Sequence, residues 1–217
     1  SPDLVARCVE HMKNASEHME ITVKCRIGVD EQIPEDVLPH FLETVSQAGI
    51  TRFTIHARKA WLQGLSPKQN RDVPPLDYPL VHAMKAAFPQ LHLSINGGIA
   101  TLDQAEAHLA QGIDGVMIGR AAYHDPLTVL AQADRRIYGI GPERTASEAI
   151  DEMRAYIAAH VAEGGKLAQI TRHMLGLFTG QPGARIWRRI LSENAHRDGA
   201  SIEVLDMALA QMRARRA

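Results

Sequence analysis

Two short stretches of this chain carry residue types at a spacing suited to phosphate chemistry. Asn96-Gly97-Gly98 ends an apolar run, Leu91 to Ile95, and Gly119-Arg120 ends a second one, Val116 to Ile118. Glycines let backbone N–H groups approach an anion closely and adopt positive φ, and successive N–H groups in a turn form an anion-binding concavity. A lone Gly-Gly more often serves only a tight turn. Two such endings one strand–helix unit apart, the second carrying an arginine, favour a phosphate.

Lys24 lies near the end of the β-rich run Ile21 to Arg26, and His56 ends the run Arg52 to Ala57. In parallel α/β architectures those strand ends form the rim where reactive groups are placed, and an ammonium there stabilises developing negative charge. The plainer reading is a strand-end lysine reaching water and one structural histidine among eleven. Cations interleave with Trp61 between His56 and Arg71, a mixture suited to phosphates and stacked bases or to a solvated loop. Arg185, Arg188 and Arg189 fall on one side of a helix, a possible footprint on a phosphate backbone or a charged face with no partner. Cys8 falls on the apolar stripe of its helix and reads as core, whereas Cys25, alternating with Lys24, should face a helix layer.

The elements that must position these groups follow from periodicity. Asp3 can cap a helix through about Ala15; a second carries Val37, Leu38, Phe41, Leu42 and Val45 on one face and ends by Gly49, a third lies near Pro79 to Phe88, and Thr101 with Gln104 has capping-box spacing before another. Strands alternating with these helices give four βα units and a parallel sheet, half of a (β/α)8 barrel. Beyond Gly141-Pro142 only helices are predicted, at Ser147–Glu163, Lys166–Phe178, Arg185–Ser192 and Ile202–Arg215. The division expected is an α/β piece, residues 1–141, and a helical-bundle domain, residues 142–217.

The 217 residues allow a substantial core, and the composition is that of an ordinary globular chain, with no apolar run as long as a membrane span. Two cysteines give neither a disulfide framework nor a metal spacing, which points to a reducing cytoplasm. Charge is uneven: from Lys166 onward nine Lys/Arg face four Asp/Glu, so the last quarter is basic within a chain of net charge −1.

Taken in order, the chain resembles the tRNA-dihydrouridine synthases, in particular the bacterial DusA type. The resemblance rests on Val23-Lys24-Cys25-Arg26-Ile27-Gly28, Ile55-His56-Ala57-Arg58-Lys59-Ala60-Trp61, Leu65-Ser66-Pro67-Lys68-Gln69-Asn70-Arg71 and Pro74-Pro75-Leu76-Asp77-Tyr78. It continues through Ser94-Ile95-Asn96-Gly97-Gly98-Ile99, Asp114-Gly115-Val116-Met117-Ile118-Gly119-Arg120, His173-Met174-Leu175 and Trp187-Arg188-Arg189. It implies strands five to eight of an FMN-binding TIM barrel followed by a helical tRNA-binding domain. It also implies NADPH-driven reduction of the C5–C6 double bond of a D-loop uridine at position 20 or 20a. Lys24 and His56 would contact the flavin, Asn96, Gly97, Gly98, Gly119 and Arg120 its phosphate, and Lys68, Arg71, Arg185 and Arg188 the tRNA. The family's general-acid cysteine, in an Asn-x-Gly-Cys-Pro motif, matches neither Cys8 nor Cys25. The expectation is therefore a fragment that is inactive alone, of an enzyme monomeric at full length, with no metal. Other expectations compatible with the residues are a non-catalytic RNA-binding piece and a different phosphate-binding barrel enzyme, such as another flavin oxidoreductase or a sugar-phosphate isomerase.

Overall fold

A computed structural model describes residues 1–16 and 18–214. The chain forms two compact units, residues 1–99 with 103–118, and residues 100–102 with 119–217.

The first unit is an α/β layer. Its parallel sheet has four strands in chain order, β1 (Val23–Arg26), β2 (Arg52–His56), β3 (His92–Asn96) and β4 (Gly115–Met117). Helices α1 (Pro2–Ala15), α2 (Pro34–Gln47), α3 (Tyr78–Ala87) and α4 (Leu102–Ala110) alternate with them. Strand alternation sorts the side chains into two faces. Phe53, Ile55, Leu93 and Ile95 are fully buried with Leu38, Leu42 and Val45 of α2 and Val81 of α3, and Val23, Cys25 and Val116 pack against that cluster. The opposite face carries one register row of Arg26, His56, Asn96 and Met117 and an inner row of Lys24, Thr54, Ser94 and Gly115. Lys85 of α3 pairs with Asp114 at 2.8 Å, and that carboxylate also accepts the Leu93 N–H, fastening α3 and the β4 entry to β3.

Two details of α1 depart from the sequence expectation. Ser1 is the N-cap residue and Asp3 sits inside the first turn. Cys8 is exposed rather than core, because Val9, Val5 and Ala6 are the residues that α1 turns toward the hydrophobic cluster; Leu4 and Met12 are exposed with Cys8.

The second unit is helical: α5 (Arg120–His124), α6 (Pro126–Tyr138), α7 (Ala146–Ala162), α8 (Leu167–Thr171), α9 (Ala184–Asn194) and α10 (Glu203–Ala214). Thr145 and Glu148 form a reciprocal capping box at α7. The units part at Ile118–Gly119, upstream of the expected break at Gly141-Pro142. Leu127 of α6 packs into the helical cluster, and the Arg144 N–H donates to the Ala131 carbonyl at 2.9 Å. The helix expected over Lys166–Phe178 is only the short α8 followed by turns. The Met174 carbonyl there accepts from Trp187 Nε1 at 2.9 Å, and a Cβ at Gly176 would lie 2.5 Å from the His124 carbonyl oxygen. Arg215, the expected end of the last helix, lies outside the described residues.

Trp187 is fully buried and meets Phe178 edge-on at 5.0 Å, which makes it the centre of the helical core. Trp187→Ala should lower the unfolding free energy by about 3–5 kcal/mol through the cavity it leaves. Urea unfolding followed by circular dichroism measures this; a loss under about 1 kcal/mol would contradict the assignment of Trp187 to the core centre.

Candidate functional site

The polar face of the sheet gathers several of the sequence candidates. Lys24 Nζ donates to Asn96 Oδ1 at 3.0 Å, while Asn96 Nδ2 donates to the Met117 carbonyl at 2.8 Å. Asn96 thus turns its oxygen to the ammonium and its amide to β4, a tie from β1 to β4 across the sheet. The Lys24 ammonium sits below the ordinary lysine value because partial burial disfavours its charge, with Arg26 adding a smaller repulsion.

The expected equivalence of Lys24 and His56 is corrected by the register. His56 pairs with Arg26, and Lys24 pairs with Thr54, one step deeper in the sheet. At the level of His56 the cation is therefore Arg26, which the sequence did not single out. Arg26 Nη1 donates to the Lys59 and Asn70 carbonyls at 2.8 and 2.9 Å, anchoring the loop that follows β2. Its guanidinium is held below the usual arginine value first by burial, then by the like charges of Arg58 and Arg71.

That loop is ordered by Asn70. Its Oδ1 accepts the Trp61 N–H at 2.7 Å and its Nδ2 donates to the Trp61 carbonyl at 2.6 Å. Lys59 Nζ lies over the Trp61 ring at 5.0 Å, so the indole face already holds a cation. Arg58 Nη1 donates to the Pro74 carbonyl. Lys68 and Arg71 stand exposed beside and within a 3-10 turn, Gln69–Arg71.

The turn after β3 has the most specific geometry. Gly97 has φ +115° and Gly98 φ +69°, both in the region that favours glycine. Space forbids a side chain as well: a Cβ on Gly97 would lie 2.8 Å from the His56 ring, and one on Gly98 would lie 2.6 Å from a Leu76 methyl and 3.0 Å from the Tyr78 hydroxyl. The Gly97 carbonyl accepts from Tyr78 at 2.6 Å. The N–H groups of Gly97, Gly98 and Ile99 donate to no acceptor among the described residues, although Gly97 and Ile99 are buried. Buried backbone donors are nearly always paired. Two buried donors, Gly97 and Ile99, thus flank the exposed Gly98 N–H in a concave turn able to accept an anion.

In the second unit, Gly119 precedes α5 with φ −109°, and a Cβ there would meet nothing within 4 Å. Neither space nor backbone demands glycine at that position, unlike Gly97 and Gly98. Arg120 is the first residue of α5 and lines a cleft of about 400 Å³ with His124, Asp125 and Thr128. Arg185 and Arg188 are exposed on α9 beside Arg189, and none of the three forms an ion pair among the described residues. The opposite side of α9 buries Ala184, Trp187, Ile190 and Leu191.

Neither thiol lies on the polar face as a reactive group. Cys25 is packed into the hydrophobic layer, and burial pushes its thiol up to about 12. No group of metal-binding side chains occurs among the described residues. No helix there is long and apolar enough to cross a membrane.

The strand ends of the first unit thus bring together a cation, an amide and a glycine turn. Residues 1–213 match the sequence pattern of the dihydrouridine synthase (Dus) family, and the chain belongs to that family. Among curated relatives, the tRNA-dihydrouridine(20/20a) synthase of Shewanella oneidensis is 55% identical over 208 residues, 95% of this chain and 61% of that protein. The Vibrio cholerae protein of the same name is 51% identical over 213 residues, 97% of this chain and 64% of that protein. That of Escherichia coli K12 is 53% identical over 210 residues, 95% of this chain and 59% of that protein. The chain thus spans about three fifths of the length of these relatives. A solved N-acetylneuraminate lyase from Fusobacterium nucleatum is 11% identical with TM-score 0.29, covering 98% of this chain and 81% of that one.

Two outcomes follow from this geometry. Gly97→Ala should lower the Tm of the first unit, whereas Gly119→Ala should leave Tm nearly unchanged; equal effects would contradict the distinction. At pH 8 a thiol-reactive disulfide should titrate Cys8 rapidly and Cys25 only on unfolding. Because folding raises the Cys25 value, the stability it confers should be full below the unfolded thiol value and fall as pH climbs toward about 12.

Proposed function

We propose that this chain supplies the cofactor-phosphate and tRNA-contacting part of a tRNA-dihydrouridine synthase acting on D-loop positions 20 and 20a. In this reading its four βα units are strands five to eight of a TIM barrel, within residues 1–141, and residues 142–217 form a helical tRNA-binding domain. The observation that carries the reading is the run of unpaired N–H groups at Gly97, Gly98 and Ile99 beside the Lys24–Asn96 pair and the His56 ring.

These residues fit FMN. Backbone donors of the Gly97–Gly98 turn would hold the phosphate, and Lys24, whose ammonium Asn96 orients, would contact the flavin with His56. When bound there, FMN supplies the two-electron reducing chemistry for the uridine C5–C6 bond, with NADPH as the source of electrons. A lysine ammonium beside a ring that gains negative charge on reduction stabilises that charge, and partial burial strengthens the interaction. Protonation of uridine C5 is not assigned to Cys25, which faces the apolar layer, nor to Cys8 on the outer side of α1. The purified chain by itself is therefore proposed to bind without turnover.

Lys68 and Arg71 on the β2–α3 loop, and Arg185 and Arg188 on α9, contact tRNA phosphates. Each is an exposed cation, as a backbone-phosphate contact requires. Filter binding of unmodified tRNA at several salt concentrations tests the assignment. Arg185→Ala and Arg188→Ala should each weaken binding and reduce the log–log salt slope by about 0.9. Binding indifferent to both substitutions would overturn the role of α9.

A further inference from the structure

The donors of the Gly97–Gly98 turn serve an anion only if the peptide between the two glycines keeps one orientation, and one side chain fixes it. The Tyr78 hydroxyl donates to the Gly97 carbonyl oxygen at 2.6 Å. In a planar trans peptide the C=O and the following N–H point in opposite directions. No cis peptide occurs here, so a Gly97 oxygen turned onto Tyr78 turns the Gly98 N–H to the other side. The same hydroxyl and the Leu76 methyls stand where a Gly98 Cβ would be, so Tyr78 and Leu76 form the back wall of the turn.

The phenol is itself held. Tyr78 is the first residue of α3, whose N-cap Asp77 accepts the Leu80 N–H at 3.0 Å. Its ring meets the buried His108 ring edge-on at 4.7 Å, and His108 Nδ1 lies 3.0 Å from His82 Nε2 of α3. Burial raises the phenol above the ordinary tyrosine value and keeps both histidines below theirs, so the hydroxyl is protonated and the pair neutral at pH 7. A hydroxyl with its proton in place and its ring immobilised is a preorganised donor, and little entropy is lost when the turn meets its ligand.

We propose that Tyr78 is a positioning residue: its hydroxyl sets the Gly97–Gly98 peptide so that the N–H groups of the turn converge on a phosphate monoester, and it acts on affinity through that end of the ligand alone. The proposal rests on the cofactor-phosphate reading above, and riboflavin, which is FMN without its phosphate, separates the two. Flavin fluorescence gives the Kd of each for the 217-residue chain, for Y78F and for V45A, with Tm recorded alongside. Wild type should bind FMN more tightly than riboflavin. Y78F should weaken FMN about tenfold, the effect of losing one well-formed hydrogen bond, and leave riboflavin within about twofold. V45A thins the buried packing of α2 and keeps the hydroxyl bond; it should lower Tm and leave the FMN-to-riboflavin ratio unchanged. A ratio that survives in Y78F, or that falls as far in V45A, would overturn the role of Tyr78. A wild-type chain that binds the two flavins equally, or neither, would overturn the phosphate reading itself.

Discussion

The site depends first on strand register. Each strand of the first unit is short, and its side chains alternate between a hydrophobic layer and a polar face. A slip of one residue in any pairing would send Lys24 or His56 into the layer now filled by Ile55 and Ile95 and expose those aliphatic residues. Burying an ammonium without compensation is far less favourable than any interaction on the polar face can recover. Hydrophobic burial therefore fixes the register, and the register places the Arg26, His56 and Asn96 row at the strand ends. The functional geometry is a consequence of the core.

Onto that frame the turn after β3 adds a local constraint of another kind. Two consecutive glycines take positive φ, and the His56 ring on one side and Leu76 and Tyr78 on the other leave no room for side chains. Backbone conformation and space thus both demand glycine there. In the helical unit the constraint is simpler: α9 is pinned by Trp187 and its bond to Met174, and its arginines are left on the outer side with no acidic partners among the described residues. The function proposed above would give the two features one purpose, a cofactor at the turn and an RNA backbone at α9.

Much of this was legible in the sequence where the signal is local. The run ending at Asn96-Gly97-Gly98, the α7 capping box and the amphipathic spacing of α9 are written in neighbouring residues, and the elements form there. Features set by distant partners were not. Lys24 and His56 share a strand-end position in sequence, yet pairing sets them one level apart. Arg26 gains its role from carbonyls more than 30 residues away, and Tyr78 from a glycine 19 residues on. Cys8 has helical spacing with apolar neighbours, but Val5 and Val9 take the buried side of α1. Lys166–Phe178 reads as one helix, although the chain turns where Gly176 must clear the His124 carbonyl.

The most direct test of the central claim is a ¹H–¹⁵N spectrum of the chain titrated with FMN, with the backbone assigned. The account predicts that the amides of Gly97, Gly98 and Ile99 move downfield together and saturate at one Kd, because their N–H groups gain the acceptor they lack. Saturable shifts elsewhere with those three amides unmoved would show that the turn is not the phosphate site and would contradict the account at its base.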